Sequence, residues 1–229
     1  MNKKATHELE LNFYYLHYRD AQMLIEWAKA EQSKLKSLFA RHAILSTVFA
    51  SEALINRILN DFYIPKSGEK TIEKLSIVDK WCLVPLVCYT SNQKIETFDA
   101  SEEPLQSFIE LIKIRNWLAH PKPGEYIDAT TDGVSTITIL DTGAEVPWIE
   151  TIKGRTWAQT KIPFNPFELT SEHAEKALKI LDSMLNKLKE FLSDKINETW
   201  LSEINFVSKD KSDAQKITTD SLWGGYTPD

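Results

Sequence analysis

The chain has 229 residues, of which 42% are hydrophobic and 26% charged, a globular balance on a length that suits one large domain or two small ones. Glycine is scarce, at 7, and proline reaches only 9, which argues against an all-β sandwich and glycine-rich nucleotide loops and favours a mostly helical chain. With 27 basic and 33 acidic residues the net charge is −6, which argues against phosphate binding over the whole surface and leaves room for a local basic site.

The first residues, Met1 to Glu8, turn polar and acidic instead of entering an apolar stretch, so no signal peptide is expected. No apolar run approaches the ~20 residues needed to span a bilayer. A cytoplasmic protein without membrane contact is the expectation. Cys82 and Cys88 are too far apart for a CxxC motif and have no neighbouring histidines, which predicts two reduced core thiols. His17, His42 and His173 lack a second ligand one helical turn on, so no metal site and no cofactor are expected.

Residues 8–30 read as a helix, with Leu9, Phe13, Leu16, Leu24, Trp27 and Ala28 at helical spacing. Ser33 can cap a second helix running to about Asp61, with Leu35, Leu38, Leu45, Val48, Phe49, Ile55, Ile58 and Leu59 inward. Residues 62–70 hold Pro65 and Gly68 and read as a connection. A short helix over Ser76 to Val84 is disturbed at Pro85 or just after it.

Ser101-Glu102-Glu103-Pro104 is a helix start: a capping serine, two carboxylates at the positive end of the dipole, and proline in the first turn. That helix is expected to reach His120, before Pro121 and Pro123. The alternating, β-branched run Val134 to Leu140, with turns at Asp132-Gly133 and Thr142-Gly143, predicts a small β-hairpin or meander within 125–160. Thr170 or Ser171 caps a long amphipathic helix to about Asp194. The expected organisation is one helical domain over 1–200, a β-rich insertion at 125–160 and a polar tail at 201–229.

Chemistry gathers on the helix 102–120. Its apolar face is expected to be Leu105, Phe108, Ile109 and Ile112, and at ~100° per residue Arg115 and Asn116 project into that face. His120 lies ~140° from Arg115. A buried guanidinium needs a carboxylate, a phosphate or an interface. Glu52, inside the apolar stripe of the second helix, is the carboxylate expected to meet it. From spacing alone a structural ion pair beside a helix-terminal histidine fits these residues better than a catalytic site.

Arg115-Asn116-Trp117-Leu118-Ala119-His120 followed by Pro121-Lys122 resembles the R-N-x-x-x-H motif of the HEPN superfamily. A long helix carrying Ala50-Ser51-Glu52-Ala53 before it, and another long helix after it, resemble the context of that motif. The resemblance covers about 8–120 and 168–194. It implies a mainly α fold, an antiparallel HEPN-like helical bundle, with the β excursion as an addition to it. It implies metal-independent endoribonuclease activity, as in toxins and phage-defence effectors, with Arg115, Asn116 and His120 catalytic and Glu52 supporting. It implies RNA as substrate, a homodimer that brings two motifs together, and an antitoxin or a nucleotidyltransferase-like protein as partner. The reading from a different class is a non-catalytic HEPN-like binding or regulatory module. Lys122 follows the motif directly. Trp148, Lys153, Arg155, Trp157 and Lys161 interleave aromatic and basic residues as an RNA platform would, but a half-buried strand with a solvated face fits the pattern better.

Overall fold

A computed structural model describes residues 7–61, 71–88, 96–119, 154–192, 200–201 and 204–208. It is mainly helical. In chain order the elements are strand β1 (His7–Leu11), helices α1 (Phe13–Ala30), α2 (Leu35–Asp61), α3 (Ile77–Val87), α4 (Leu105–Ala119) and α5 (Ser171–Leu192), and strand β2 (Ile204–Ser208). The chain divides into two compact units. The first is Met1–Asp20, Phe49–Phe98 and Leu185–Asp229, and the second is Ala21–Val48 and Asp99–Met184. Helices α1, α2 and α5 therefore contribute a segment to each.

In the first unit β1 and β2 pair antiparallel, with Leu9 opposite Phe206. Residues 8–11 are thus strand and not the first turn of a helix, and 204–208, expected as the start of the polar tail, are their partner. Asn12 makes the switch to helix. Its Oδ1 accepts the Tyr14 N–H at 3.1 Å, and its Nδ2 donates to the Trp200 carbonyl at 2.9 Å. An asparagine at this position satisfies one of the orphan donors of a helix start.

The core of this unit is built from Leu54, Ile55, Ile58 and Leu59 of α2, Trp81 and Val84 of α3, and Leu188 and Leu192 of α5, all buried. Phe98 stands edge-on to Trp81 at 5.9 Å and to Phe191 at 5.0 Å, between α3 and α5. Ser76 caps α3 by accepting the Asp79 N–H. Pro85 does not end that helix. It sits buried within it, and the helix runs on to Val87 and is capped by Cys88, whose N–H donates to the Val84 carbonyl. Both cysteines are free thiols, Cys88 buried and Cys82 half-buried. Burial, then the nearby Asp79 carboxylate, pushes the Cys82 thiol up from its ordinary value.

In the second unit Ala21, Ile25 and Ala28 of α1, Ala40, Ala43 and Ile44 of α2, and Ala174, Ala177, Leu181 and Met184 of α5 are buried. Small side chains make up much of this unit's share of the inner faces of α1 and α2. Trp27 and Leu35, expected inside, are exposed, as are Phe13 and Phe49 in the first unit. Trp27 instead meets Phe39 edge-on at 5.7 Å. Ser33 does start α2, its Oγ accepting the Leu35 N–H at 3.1 Å.

By length and composition α2 is also long and apolar enough to cross a membrane, although Ser, Thr and charged residues break up its apolar run. Half of that window is buried within the protein, as in a core helix.

Candidate functional site

Helix α4 begins later than its sequence signals suggest. Ser101 does not cap it, because its N–H and Oγ both bond to Asp99 Oδ1 in the preceding turn. Glu103 takes that part. Its carboxylate accepts the Ser107 N–H at 3.2 Å and the Ser107 hydroxyl at 2.6 Å. A carboxylate at this end is favoured by the helix dipole.

The inner face is Leu105, Phe108, Leu111 and Ile114, with Glu110 buried beside them, while Ile109 and Ile112 are only half-buried. Arg115 is half-buried, with its Nε below the surface. Asn116 is exposed, contrary to the expected inward projection, because the buried stripe drifts around the helix by the i+3 steps from Leu105 to Ile114. His120 lies outside the described residues, as do Lys122, Trp148 and Lys153 and the expected β-run 134–140. Within the described part of 125–160, the backbone pairing is a single bridge, Thr156 with Pro163.

What holds the motif turn in place is a contact absent from the sequence reading. Residues 155–164 form a tight turn. Trp157 N–H donates to the Ile162 carbonyl at 2.8 Å, Lys161 N–H to the Trp157 carbonyl at 2.9 Å, and Phe164 N–H to the Arg155 carbonyl at 3.0 Å. Lys161 closes it with a left-handed φ of 55°. The tip points two N–H groups at Glu110: Gln159 at 3.0 Å to Oε2 and Thr160 at 2.5 Å to the same oxygen.

Seven residues on, and so on the same face of α4, Trp117 Nε1 donates to the Phe164 carbonyl at 3.3 Å. These two anchors fix the last turns of the helix, and with them the backbone that carries Arg115 and Asn116. Arg155 and Trp157 are half-buried in the same turn, and one face of the Trp157 ring lies on Phe164 at 4.5 Å. Trp157 is thus engaged by its own chain.

Glu52 is half-buried and lines a cavity in the first unit together with His17, Asn56 and Arg57. It belongs to the first unit and Arg115, the partner expected for it, to the second. Among the described residues no three His, Cys, Asp or Glu side chains are grouped to hold a metal ion. No family model, curated protein or solved structure matches this chain.

Two features escaped the sequence reading. Glu110 gave no signal, because its partners are backbone N–H groups. The cavity did leave one: Phe13 and His17, and Phe49, Ala53, Asn56 and Asn60, each recur on one helical stripe.

Proposed function

We propose that the protein is a metal-independent endoribonuclease of HEPN type, with a helical bundle carrying a β excursion. The observation that supports it best is the run Arg115-Asn116-Trp117 on the final turn of a helix pinned at Glu110 and Trp117, directly before His120. A guanidinium and an amide on a rigid helix end suit phosphate recognition, where misplacement is costly.

In this reading Arg115 holds the scissile phosphate bidentately and stabilises the charge that builds on it. Asn116, facing solvent, orients the phosphate or the histidine. His120 takes the proton from the ribose 2′-hydroxyl, whose oxygen attacks phosphorus, and the 5′-oxygen leaves with a proton from a second imidazole. The products are a 2′,3′-cyclic phosphate and a 5′-hydroxyl, and DNA, lacking the nucleophile, is spared. A homodimer supplies the second His120. The proposal carries with it a cytoplasmic toxin or defence role and an antitoxin or nucleotidyltransferase-like partner.

The test is cleavage of single-stranded RNA by purified protein in the presence of EDTA. Cleavage leaving cyclic phosphate ends, lost in His120→Ala with native circular dichroism, is the expected result. Activity that survives His120→Ala, or that EDTA abolishes, overturns the proposal.

A further inference from the structure

The first unit contains a cavity of about 730 Å³, within the range of small-ligand sites. Two helix stripes wall it. Helix α1 supplies Phe13 and His17, one turn apart, and α2 supplies Phe49, Ala53, Asn56 and Asn60. The His17 ring lies 5.7 Å from Phe49 and 6.5 Å from Phe13, so the three rings make one continuous wall. Phe13 is 58% and Phe49 39% exposed. Rings left in water beside a cavity are binding surface and not core.

Ala53 opens the floor, because a longer side chain on that stripe would occupy it. Beyond it come amides. Asn56 Oδ1 accepts from the buried Lys80 Nζ at 2.9 Å, which leaves its Nδ2 donor to offer the cavity. The charges in the lining do not favour an anion. Arg57 and Asp61 pair with each other at 3.6 Å, Asp61 also accepts the Trp200 indole N–H, and Glu52 adds a carboxylate.

We infer that this cavity holds an unpaired nucleobase of RNA, its face on the Phe49–His17 wall and its edge on the Asn56 and Asn60 amides. A nucleobase joins a π-face to an edge of mixed donors and acceptors, and this lining offers the complement of both. An aliphatic group would leave the amides unmatched, and a phosphate would meet a lining in which two carboxylates, Glu52 and Asp61, stand against one guanidinium, Arg57. The inference rests on the ribonuclease reading for the source of the base.

The experiment uses a 2′-O-methyl RNA oligonucleotide bearing one 2-aminopurine, which binds without being cut. Wild-type protein is expected to quench its fluorescence saturably. Phe49→Ala should weaken binding about ten-fold or more, Phe49→Tyr should restore it, and Ala53→Leu should abolish it, all with native circular dichroism. Free adenosine or guanosine should displace the probe, and ribose 5-phosphate should not.

Absence of saturable quenching by the wild type, insensitivity to both Phe49→Ala and Ala53→Leu, or displacement by ribose 5-phosphate alone overturns the inference. Quenching without RNA cleavage keeps it and removes the ribonuclease reading. Cleavage without quenching does the reverse.

Discussion

The Glu110 carboxylate holds the backbone N–H of Thr160 at 2.5 Å, joining α4 to a turn fifty positions along the chain. The oxygens also accept from the exposed Gln159, so one buried donor, Thr160, and one exposed donor depend on one side chain. Glu110→Ala removes both acceptors. A buried donor left unsatisfied costs about 1–3 kcal/mol, so the variant should lose about that much in urea melts. Glu110→Gln keeps one acceptor oxygen and should lose less. An Ala variant within half a kcal/mol of wild type would show that the clamp is dispensable.

Asn12 gives a second stability prediction. Its Oδ1 caps α1 and its Nδ2 satisfies the Trp200 carbonyl. Asn12→Ala loses both, at about 2–3 kcal/mol. Asn12→Asp keeps the cap and loses only the donor, so it should retain part of that stability. Equal melts for the two variants would mean that capping contributes nothing at this helix start.

The N-terminus of α5 titrates. The Thr170 N–H donates to His173 Nδ1 at 3.0 Å, which requires that nitrogen to be unprotonated. Burial lowers the His173 pKa below the ordinary imidazole value, with Glu172 opposing and Lys176 reinforcing the shift. The unfolded chain therefore binds the proton first as pH drops. The contribution of this contact is complete above the ordinary imidazole pKa and is lost as pH falls through the lower folded value. Urea midpoints measured from pH 8 to pH 5 should decline on acidification. His173→Gln, which keeps an acceptor that does not titrate, should flatten that part of the profile. An unchanged slope in the variant would remove His173 as its source.

These contacts also show what the sequence could and could not reveal. Helix α5 was legible almost residue by residue, because Ala177, Ile180, Leu181, Met184, Leu185 and Leu188 form one unbroken apolar stripe and all are buried. The faces of α1 and α2 are legible only in part. Val48, Ile55, Ile58 and Leu59 are inward on α2 as their spacing predicts, but large aromatics dominate a reading by hydrophobicity, and Phe13, Trp27 and Phe49 look outward while Ala21, Ala28, Ala40, Ala43 and Ala50 are buried. Strand β1 was hidden because its partner, residues 204–208, lies at the far end of the chain and only the pairing makes it a strand. For the site, Arg115 and Asn116 were legible as a motif on a helix end, and their anchoring through Glu110 was not.

The proposed reaction makes a last, quantitative prediction about assembly. If acid and base are two copies of His120 across a two-fold axis, each cleft is complete only when both chains are wild type. A mixed dimer of one wild-type and one His120→Ala chain then lacks either the group that takes the 2′-hydroxyl proton or the one that protonates the leaving oxygen. General acid–base assistance of this kind contributes about 10²–10⁴-fold, so the mixed dimer should be nearly silent. Adding about a ten-fold excess of His120→Ala chains and allowing exchange places most wild-type chains in mixed dimers, and cleavage should fall about ten-fold at constant wild-type concentration. An Asn116→Ala, His120→Ala double variant should poison the wild type equally well, because the silent chain acts by occupying a partner. The same excess of an unrelated protein should leave the rate alone. Sedimentation of the wild type should show a dimer, with specific activity dropping on dilution below its dissociation constant. A rate untouched by the excess variant, in a protein that sediments as a monomer, would assign the whole reaction to one chain and one histidine.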